Sequence, residues 1–430
     1  MKRMNAPSLA PSPWTSGRWT SFRTPDRRIL ALSIAIQLAL AVFLGHSRDT
    51  RMFMATGYLV ATGHSPYVSM DLTAVFHHVG FKAISVVGYP PPWPLLLGAI
   101  YRGFYAVGHH LLVYNFAIKL PVIAATVALA YLVAAIAQNL GADGAVSRRV
   151  WIAILLNPFV IYVAAAWGQI DAIAALLTLA ALVLVVSHSS LSAVVLALGV
   201  CFKPIAAPVV LVVLVYLLTR SAWRAATYAV VFLAATLVFY VGPFLLLGWS
   251  AAPLRQFNSQ FLMTGTMSYM TVVRVFKDPL MLQGHWWLLG LAWVPALAVA
   301  AAIGLRRGVA DVPDLFRKSA ALVLVFFLAR TWLAEPNVVL VLALVLVLAA
   351  RGDLDRRFFT AIWAIALAFT VFNASPLQLL FVSFPHAMET SLTFVARYSD
   401  ATLLARAALV VAWQVAGWWV VVLCLRRRPA

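Results

Sequence analysis

One acidic residue, Asp49, follows the first long apolar segment by only a few residues and stands between two arginines. A carboxylate there could act as a general base on a hydroxyl group, because proton removal needs an acceptor within hydrogen-bond reach. The alternative is an ion pair at a helix end, which would contribute little to stability. Met52, Phe53 and Leu59 recur on one face of the following stretch. We therefore expect an amphipathic helix whose apolar face contacts lipid at the membrane interface.

A second group of charged and amide side chains interrupts apolar sequence further along the chain. Its members are Gln169, Asp171, Lys203, Arg330, Glu335 and Asn337. A charge near the bilayer centre costs at least about 2.5 kcal/mol, so several of them in apolar segments favour a shared polar cavity. Arginine and lysine there could neutralise a lipid phosphate, for which a bidentate arginine contact is strong. The alternative for each charge is an internal ion pair that stabilises helix packing.

Two further stretches carry side chains suited to an anionic ligand or a sugar. Arg274 lies in a polar segment with Arg255, Lys277 and several aromatic and amide side chains. This segment would suit an anionic lipid-linked ligand, and attraction to anionic lipid head groups is the alternative. Tyr89, in "GYPPPW", presents a ring that could lie at the membrane interface or stack on a sugar.

The composition is that of a polytopic membrane protein. Of the 430 residues, 63% are hydrophobic and 10% are charged, whereas soluble domains carry roughly 25% charged residues. The net charge of +19 arises from short basic clusters between apolar segments. This is the pattern of the positive-inside rule, and it argues against nucleic-acid binding. Cys201 and Cys424 lie in apolar segments, so no disulfide framework is expected.

The apolar segments predict an all-α polytopic bundle of about 12 transmembrane helices, some of them short or broken. Residues 1–28 are rich in Ser, Pro and Arg and predict a disordered cytoplasmic tail, followed by one integral membrane domain over residues 29–430. Basic clusters place both termini on the cytoplasmic side. Polar loops at about 46–88, 248–285 and 373–400 then lie on the outer face of the inner or plasma membrane. Their length favours an active or binding surface there.

The number of apolar segments is odd. A chain with both termini on the cytoplasmic side must cross the membrane an even number of times, so not every segment can be a separate crossing. One solution makes "YPPPWPLLLGAIYRGF" a re-entrant or interfacial piece, because its prolines break helices. The other makes residues 191–218 a single span through the break at Lys203 and Pro204. The first solution puts residues 168–171 on the outer face, and the second puts them inside. The positive-inside rule favours the first.

The sequence shows none of the common motifs for metal or nucleotide cofactors. The adjacent histidines, His77 with His78 and His109 with His110, lack a metal-site spacing such as HExxH. Walker A and GxGxxG patterns are missing, as is the GxSxG motif of serine hydrolases. No cofactor is therefore expected.

The motifs stand in a fixed order between Asp49 and Asn337. After Asp49 come "TGHSPY", "GYPPPWPLL", "NPFVIYVAAAWGQIDAIAALLTLA", "CFKPIAAPVVL" and "ARTWLAEPNVVLVLALVL". This set resembles the GT-C superfamily of membrane glycosyltransferases, especially the bacterial polyprenyl-phosphate-mannose-dependent enzymes of glycosyltransferase family 87. Many GT-C enzymes carry paired acids in the first loop, whereas Asp49 has Arg48 and Thr50 as neighbours. We therefore expect transfer without a divalent metal.

The resemblance implies inverting transfer of a sugar from a polyprenyl-phosphate donor to an acceptor glycolipid or glycan on the outer face. The sugar would be mannose or a similar hexose or pentose, and Asp49 would be the catalytic base. The resemblance assigns the remaining residues to substrate binding: Arg274, Arg330 and Lys203 to the phosphate, Asp171, Gln169 and Glu335 to the sugar or the cationic side chains, with Asn337 and Tyr89 completing the set. The implied partners are the lipid-linked donor, the acceptor and membrane lipids.

Two other classes of protein fit the same charged cavity. A transporter or flippase of a lipid-linked or anionic substrate should show inverted internal repeats, and none is evident in the sequence. A non-catalytic protein that binds the lipid carrier would have nearly the same sequence pattern. An activity assay separates that protein from an enzyme.

Overall fold

The computed structural model describes residues 22, 26–82, 84, 87–250, 265–276, 289–374, 376–380, 384 and 386–426. The expected disordered tail at 1–28, apart from its last residues, lies outside this range. So do Arg255, Lys277 and most of the predicted loop at 248–285.

Helices form nearly all of the regular structure. Up to residue 250 the α-helices are α1 Arg27–Phe43, α2 Ser47–Ala61, α3 Thr73–Phe76, α4 Pro92–Ile100, α5 Ala106–Gly108, α6 Leu111–Asn139, α7 Gly144–Leu155, α8 Pro158–Ile161, α9 Asp171–Leu184, α10 Ser189–Phe202, α11 Ala207–Leu218, α12 Ala222–Thr236 and α13 Gly242–Leu246. From residue 265 onward they are α14 Tyr269–Val275, α15 Trp293–Leu305, α16 Val312–Leu328, α17 Val338–Ala350, α18 Arg356–Asn373, α19 Ala387–Arg397 and α20 Ser399–Leu425. The predicted all-α class is confirmed.

Short turns of other geometry join several of these helices. The π-helical turns are Tyr101–Tyr105, Tyr162–Trp167 and Leu237–Val241, and the 3-10 turns are Val79–Phe81, Pro204–Ala206, Glu335–Asn337 and Pro376–Leu379. The strands are β1 Gly265–Thr266 and β2 Trp332–Leu333, which pair in parallel. Such turns are common where a membrane helix is broken next to a protein-lined cavity.

Four helical segments among the described residues are long and apolar enough to cross a membrane. They are Leu111–Asn139, Gly144–Trp167, Ala222–Leu246 and Ser399–Leu425. Shorter apolar helices, such as α9 and α10, lie between them along the chain. The chain is therefore an integral membrane protein, and the expected total of about 12 crossings stays a prediction.

Several helices that begin in polar loops carry side-chain caps. The capping side chains accept hydrogen bonds from N–H groups in the first turn. They are Asp26, Asp143, Ser221, Asp311 and Asp355. A cap supplies the partner that the first N–H groups lack inside the helix. The opposite ends of α1, α8 and α16 lead into the segments that carry Asp49, Gln169 and Arg330.

Helix α17 is apolar on every side and lies at the centre of the bundle. Every residue from Val338 to Ala349 is buried. A helix that is hydrophobic all round is covered by other helices, and α6, α7, α9, α16 and α18 pack around it. The polar turn Glu335–Asn337 precedes it directly, so this turn lies in the middle of one end of the bundle.

Helix α2 lies against α4 and not against lipid. The residues expected to face lipid are buried: Met52, Phe53 and Leu59. That prediction is wrong because α4, which begins in the proline-rich segment, supplies an apolar protein surface. Two glycines permit the close approach, since a Cβ on Gly57 would lie 2.7 Å from the carbonyl oxygen of Leu97 and one on Gly98 would lie 2.5 Å from the Val60 side chain.

Candidate active site

The carboxylate of Asp49 is held in the first turn of α2. Its Oδ2 accepts 2.7 Å hydrogen bonds from Nε1 of Trp167 and Nε2 of Gln169. The side chain is 19% exposed, and none of the described residues donates a hydrogen bond to Oδ1. One oxygen is therefore fixed by the protein, while the other is open to a ligand.

His46 sets the backbone position of Asp49. Its Nδ1 accepts a 3.3 Å hydrogen bond from the Asp49 N–H and so caps α2. The ring stacks on Trp167 with centroids 4.7 Å apart. Burial lowers the pKa of His46, and the nearby Asp49 carboxylate and a hydrogen bond with Gln378 oppose this effect. The neutral ring suits the cap, because its Nδ1 can accept a hydrogen bond only without a proton.

The amide of Gln169 connects Asp49 to Tyr89. The Tyr89 hydroxyl donates a 2.7 Å hydrogen bond to Oε1 of Gln169, while Nε2 of the same amide donates to Asp49. The Tyr67 hydroxyl in turn donates to the carbonyl oxygen of Tyr89 at 3.1 Å. An amide has one accepting and one donating end, so these partners fix its orientation.

The contact between Asp49 and Gln169 favours one of the two predicted topologies. A 2.7 Å hydrogen bond requires that the end of α1 and the beginning of α9 lie at the same end of the bundle. The single-span solution for residues 191–218 would put them on opposite faces of the membrane. The geometry agrees with the solution in which "YPPPWPLLLGAIYRGF" does not cross the membrane. That this end is the outer face stays a prediction.

Lys203 and Asp171 form an internal ion pair. Nζ of Lys203 donates a 2.7 Å hydrogen bond to Oδ2 of Asp171, and the side chains are 9% and 0% exposed. The ammonium also lies 5.6 Å from the centre of the Tyr89 ring. The alternative given for these charges, an ion pair between helices, is thus the one that the structure contains. The predicted contact of Lys203 with a phosphate stays a prediction.

Glu335 is joined to the last long helix through Asn373. Nδ2 of Asn373 donates a 2.5 Å hydrogen bond to Oε1 of Glu335, and Oδ1 of Asn373 accepts a 2.9 Å hydrogen bond from Arg406 on α20. Glu335 also interacts electrostatically with Asp49. Asn337 is buried in the same 3-10 turn as Glu335. Its Oδ1 has no hydrogen-bond partner within the described part of the chain.

Arg274 and Arg330 flank the short parallel ladder of β1 and β2. A Cβ on Gly265 would lie 3.0 Å from the guanidinium of Arg274, and the φ of Gly265 is +113°. Only glycine adopts such a φ easily, so this position favours the close approach of Arg274. Arg274 also interacts electrostatically with Arg406. The guanidinium of Arg330 lies 5.0 Å from the Phe326 ring, and it forms no ion pair with an acid that the structure describes.

The structure brings the predicted residues together in two groups. Asp49, Gln169 and Tyr89 form one connected group, next to the pair of Asp171 and Lys203. Glu335, Asn337, Arg274 and Arg330 form the other group, on and around the ladder and the start of α17. Sequence reasoning missed His46, Asn373 and Arg406. Arg406 could have been found, because an ionisable residue inside an apolar segment is a functional candidate by default.

No group of three or more His, Cys, Asp or Glu side chains suited to a metal ion occurs among the residues that the structure describes. Independence of a divalent metal stays a prediction. The histidines singled out in the sequence have other roles: Nδ1 of His78 accepts from the N–H of Gly80, and His109 packs edge-on against Tyr105.

Comparison with known proteins agrees with the resemblance. A search of curated proteins finds no match. The crystal structure of ArnT from Cupriavidus metallidurans in the apo state is similar, with a TM-score of 0.48 and 16% identity over 93% of this chain and 76% of that one. The profile of glycosyltransferase family 87 matches residues 89–336, more than half of the chain. Asp49 precedes the matched region and Asn337 directly follows it. The chain belongs to glycosyltransferase family 87 and is a membrane glycosyltransferase.

Proposed function

We propose that the protein transfers mannose, or a similar hexose or pentose, from a polyprenyl-phosphate donor to a hydroxyl group of a glycolipid or glycan at the outer face of the membrane. The observation that carries this proposal is the arrangement at Asp49. Its Oδ2 is held by Trp167 and Gln169, and its Oδ1 accepts no hydrogen bond from a described residue. A carboxylate fixed in this way can accept the proton of an incoming hydroxyl group.

The reaction balances without a further reagent. Oδ1 of Asp49 takes the hydroxyl proton as the acceptor oxygen bonds to the anomeric carbon. The bond from that carbon to the phosphate oxygen breaks on the opposite side, and its electron pair leaves with the polyprenyl phosphate. Attack opposite the leaving group inverts the configuration at the anomeric carbon.

Three arginines are assigned to the leaving phosphate: Arg274, Arg330 and Arg406. Glu335 is linked to Arg406 through Asn373, which donates to Glu335 and accepts from Arg406. Arg330 forms no ion pair with an acid that the structure describes, so its positive charge is available to a phosphate. Arginine binds phosphate through charge-assisted and bidentate hydrogen bonds, and fixed cations in a dry site stabilise the charge that develops on the leaving oxygen.

The remaining polar groups are assigned to the sugar and its surroundings. Oδ1 of Asn337 is buried without a partner in the described residues, which makes it a candidate acceptor for a sugar hydroxyl. The charge of Lys203 is neutralised by Asp171. We therefore propose that this pair holds Tyr89, and through it Gln169, in position. Tyr89 can present its ring to a sugar face while its hydroxyl stays bonded to Gln169.

Turnover of a defined donor tests the proposal. The purified protein in lipid nanodiscs is incubated with a panel of synthetic polyprenyl-phosphate hexoses and pentoses and with a short alkyl mannoside. Mass spectrometry follows the released polyprenyl phosphate and the extended mannoside. We expect the wild type to consume at least one donor and Asp49→Asn to be about 100-fold slower or worse, as is typical for loss of a general base.

Asp71→Asn is the matched control. Asp71 lies in the same predicted outer loop and is exposed, and its Oδ1 accepts a hydrogen bond from the N–H of Thr73. We expect this variant to keep the wild-type rate. The proposal fails if the wild type consumes none of the donors, or if well-folded Asp49→Asn keeps a rate close to that of Asp71→Asn.

A further inference from the structure

Lys119 is a fully buried cation in the middle of an apolar helix. It lies on α6, one of the segments long enough to cross a membrane, and is 1% exposed. None of the acids that the structure describes forms an ion pair with it. Its hydrogen-bond partners are backbone carbonyl oxygens: those of Ala41 at 3.3 Å, Ala166 at 3.3 Å, and Leu44.

These carbonyl groups lie at the ends of two different helices. Ala41 and Leu44 belong to the last turn and the C-cap of α1, and Ala166 belongs to the π-helical turn Tyr162–Trp167. The last carbonyl groups of a helix have no partner inside it and carry partial negative charge. Lys119 therefore satisfies both helix ends at once, which offsets the cost of a buried charge in a membrane helix.

Asn115 strengthens the same junction from the preceding turn of α6. Its Nδ2 donates 2.8 Å hydrogen bonds to the carbonyl oxygens of both Ala41 and Leu44. Two neighbouring polar side chains on one face of α6 thus converge on the end of α1. A single packing contact would not need this arrangement.

The two helix ends lead directly to the candidate site. His46 follows Leu44 by two residues and caps the helix that carries Asp49. Trp167 follows Ala166 directly, and Gln169 comes two residues later. The space between the two segments is tight, because a Cβ on Gly168 would lie 3.2 Å from side-chain carbons of Lys119.

We propose that Lys119 is a positioning residue that sets the separation between Asp49 and its two donors, Trp167 and Gln169. Lys119 forms no hydrogen bond with the Asp49 carboxylate or with the side chains of Trp167 and Gln169. It acts by joining the backbone segment that carries the carboxylate to the segment that carries both hydrogen-bond donors. The catalytic part of this statement rests on the proposed role of Asp49 as the base, whereas the geometric part does not.

The first experiment needs no substrate. Lys119→Met is compared with the wild type and with Thr126→Val in labelling by a water-soluble carbodiimide, and mass spectrometry gives the rate at Asp49. Thr126 is a matched control, since it is buried on α6 and bonds only to the carbonyl of Val122 in its own helix. We expect Asp49 to be labelled several-fold faster in Lys119→Met, because Trp167 and Gln169 no longer hold its Oδ2.

The second experiment measures turnover of the polyprenyl-phosphate sugar that the wild type consumes. Misplacement of a catalytic group by about 1 Å can cost about 100-fold in rate, so we expect kcat to fall at least about 10-fold in Lys119→Met. The donor KM should stay near the wild-type value, because Lys119 does not contact the donor. Lys119→Arg, which keeps the charge and the donors, should recover part of kcat.

Asn115→Leu provides a variant that leaves Lys119 in place. It removes the three hydrogen bonds of Asn115 to the end of α1 and should also speed the labelling of Asp49, whether or not Lys119→Met folds. The proposal is overturned if both variants, or the one that folds, label Asp49 at the rate of Thr126→Val. It is also overturned if Lys119→Met raises KM and leaves kcat unchanged. A wild type that consumes no donor would count against the proposed function only, since the labelling still decides the role of Lys119.

Discussion

The ammonium group of Lys203 donates a 2.7 Å hydrogen bond to the carboxylate of Asp171, and both side chains are buried where α9 begins and α10 ends. The two residues are 32 positions apart, so the pair ties one broken helix to another. Removing one member of a buried pair is costly because it leaves the other charge without compensation. Removing both members costs much less.

A double-mutant cycle tests this pair. We expect Asp171→Ala and Lys203→Met each to destabilise the fold by about 3–5 kcal/mol. The double variant should be more stable than either single variant, since it buries no lone charge. The apparent Tm of each variant, measured by tryptophan fluorescence in detergent, gives their order of stability. Additive losses in the double variant would contradict the ion pair.

A second prediction concerns Gln169, whose amide accepts from Tyr89 and donates to Asp49. Gln169→Glu replaces the donor with a carboxylate that faces the carboxylate of Asp49. We expect a loss of activity of about 100-fold, since a charge-assisted hydrogen bond is lost and a like-charge contact takes its place. Gln138→Glu, at the far end of α6, is the control and should stay active. If Gln169→Glu stays active, the amide of Gln169 is not needed to hold Asp49.

The buried His46 predicts a dependence of stability on pH. Burial holds its pKa below the ordinary value of 6.5, with Arg48 and Arg51 acting in the same direction and Asp49 and Gln378 opposing. The unfolded chain takes up a proton at higher pH than the folded one. The stability that this group contributes is therefore fully present above about pH 6.5, and it is lost as the pH falls through the folded-state pKa.

Comparison of His46→Asn with the wild type measures this contribution. Asparagine can still accept the Asp49 N–H but does not titrate in this range. We expect the wild-type Tm to fall more steeply than that of the variant between about pH 7 and pH 5. Parallel curves would show that His46 does not titrate on unfolding.

Arg406 gives the fourth prediction. As a contact to the donor phosphate, it should hold the donor by charge-assisted hydrogen bonds that contribute about 1.5–3 kcal/mol. We expect Arg406→Gln to raise the donor KM roughly 10-fold or more. Arg397→Gln, on the exposed face of α19, should leave KM unchanged. Equal KM values in the two variants would exclude Arg406 from the phosphate site.

Sequence reasoning reached much of this site because several of its residues interrupt apolar segments. A carboxylate such as Asp171 or Glu335 is expensive there, so its position already indicates a polar cavity. The order of the motifs placed Asp49, Tyr89 and Gln169 in one enzyme. It did not show that the Gln169 amide connects Asp49 to Tyr89, because a hydrogen bond between residues 120 positions apart has no local sequence signature.

The errors have a common physical cause. Met52 and Phe53 look like a lipid-facing stripe, since lipid and a neighbouring apolar helix are equivalent solvents for them. Only the glycine contact between α2 and α4 distinguishes the two. Lys119 and Arg406 were missed although each is an ionisable residue inside an apolar segment, because the sequence shows no partner for either of them. Their partners are backbone carbonyls and an asparagine, and neither kind of partner stands out in a sequence as an opposite charge does.

The parallel ladder between β1 and β2 has a consequence for the end of the catalytic cycle. It anchors Gly265, and with it the segment that carries Arg274, to the chain just before α17. The cations assigned to the phosphate are then in place before the donor arrives and remain after the sugar has left. The proposed donor is a phosphodiester with a single negative charge, whereas the spent carrier would be a monoester with a charge of about −1.5 to −2 at neutral pH. A rigid cationic pocket holds the spent carrier more tightly than the donor, so we expect product inhibition, with departure of the lipid phosphate limiting the rate.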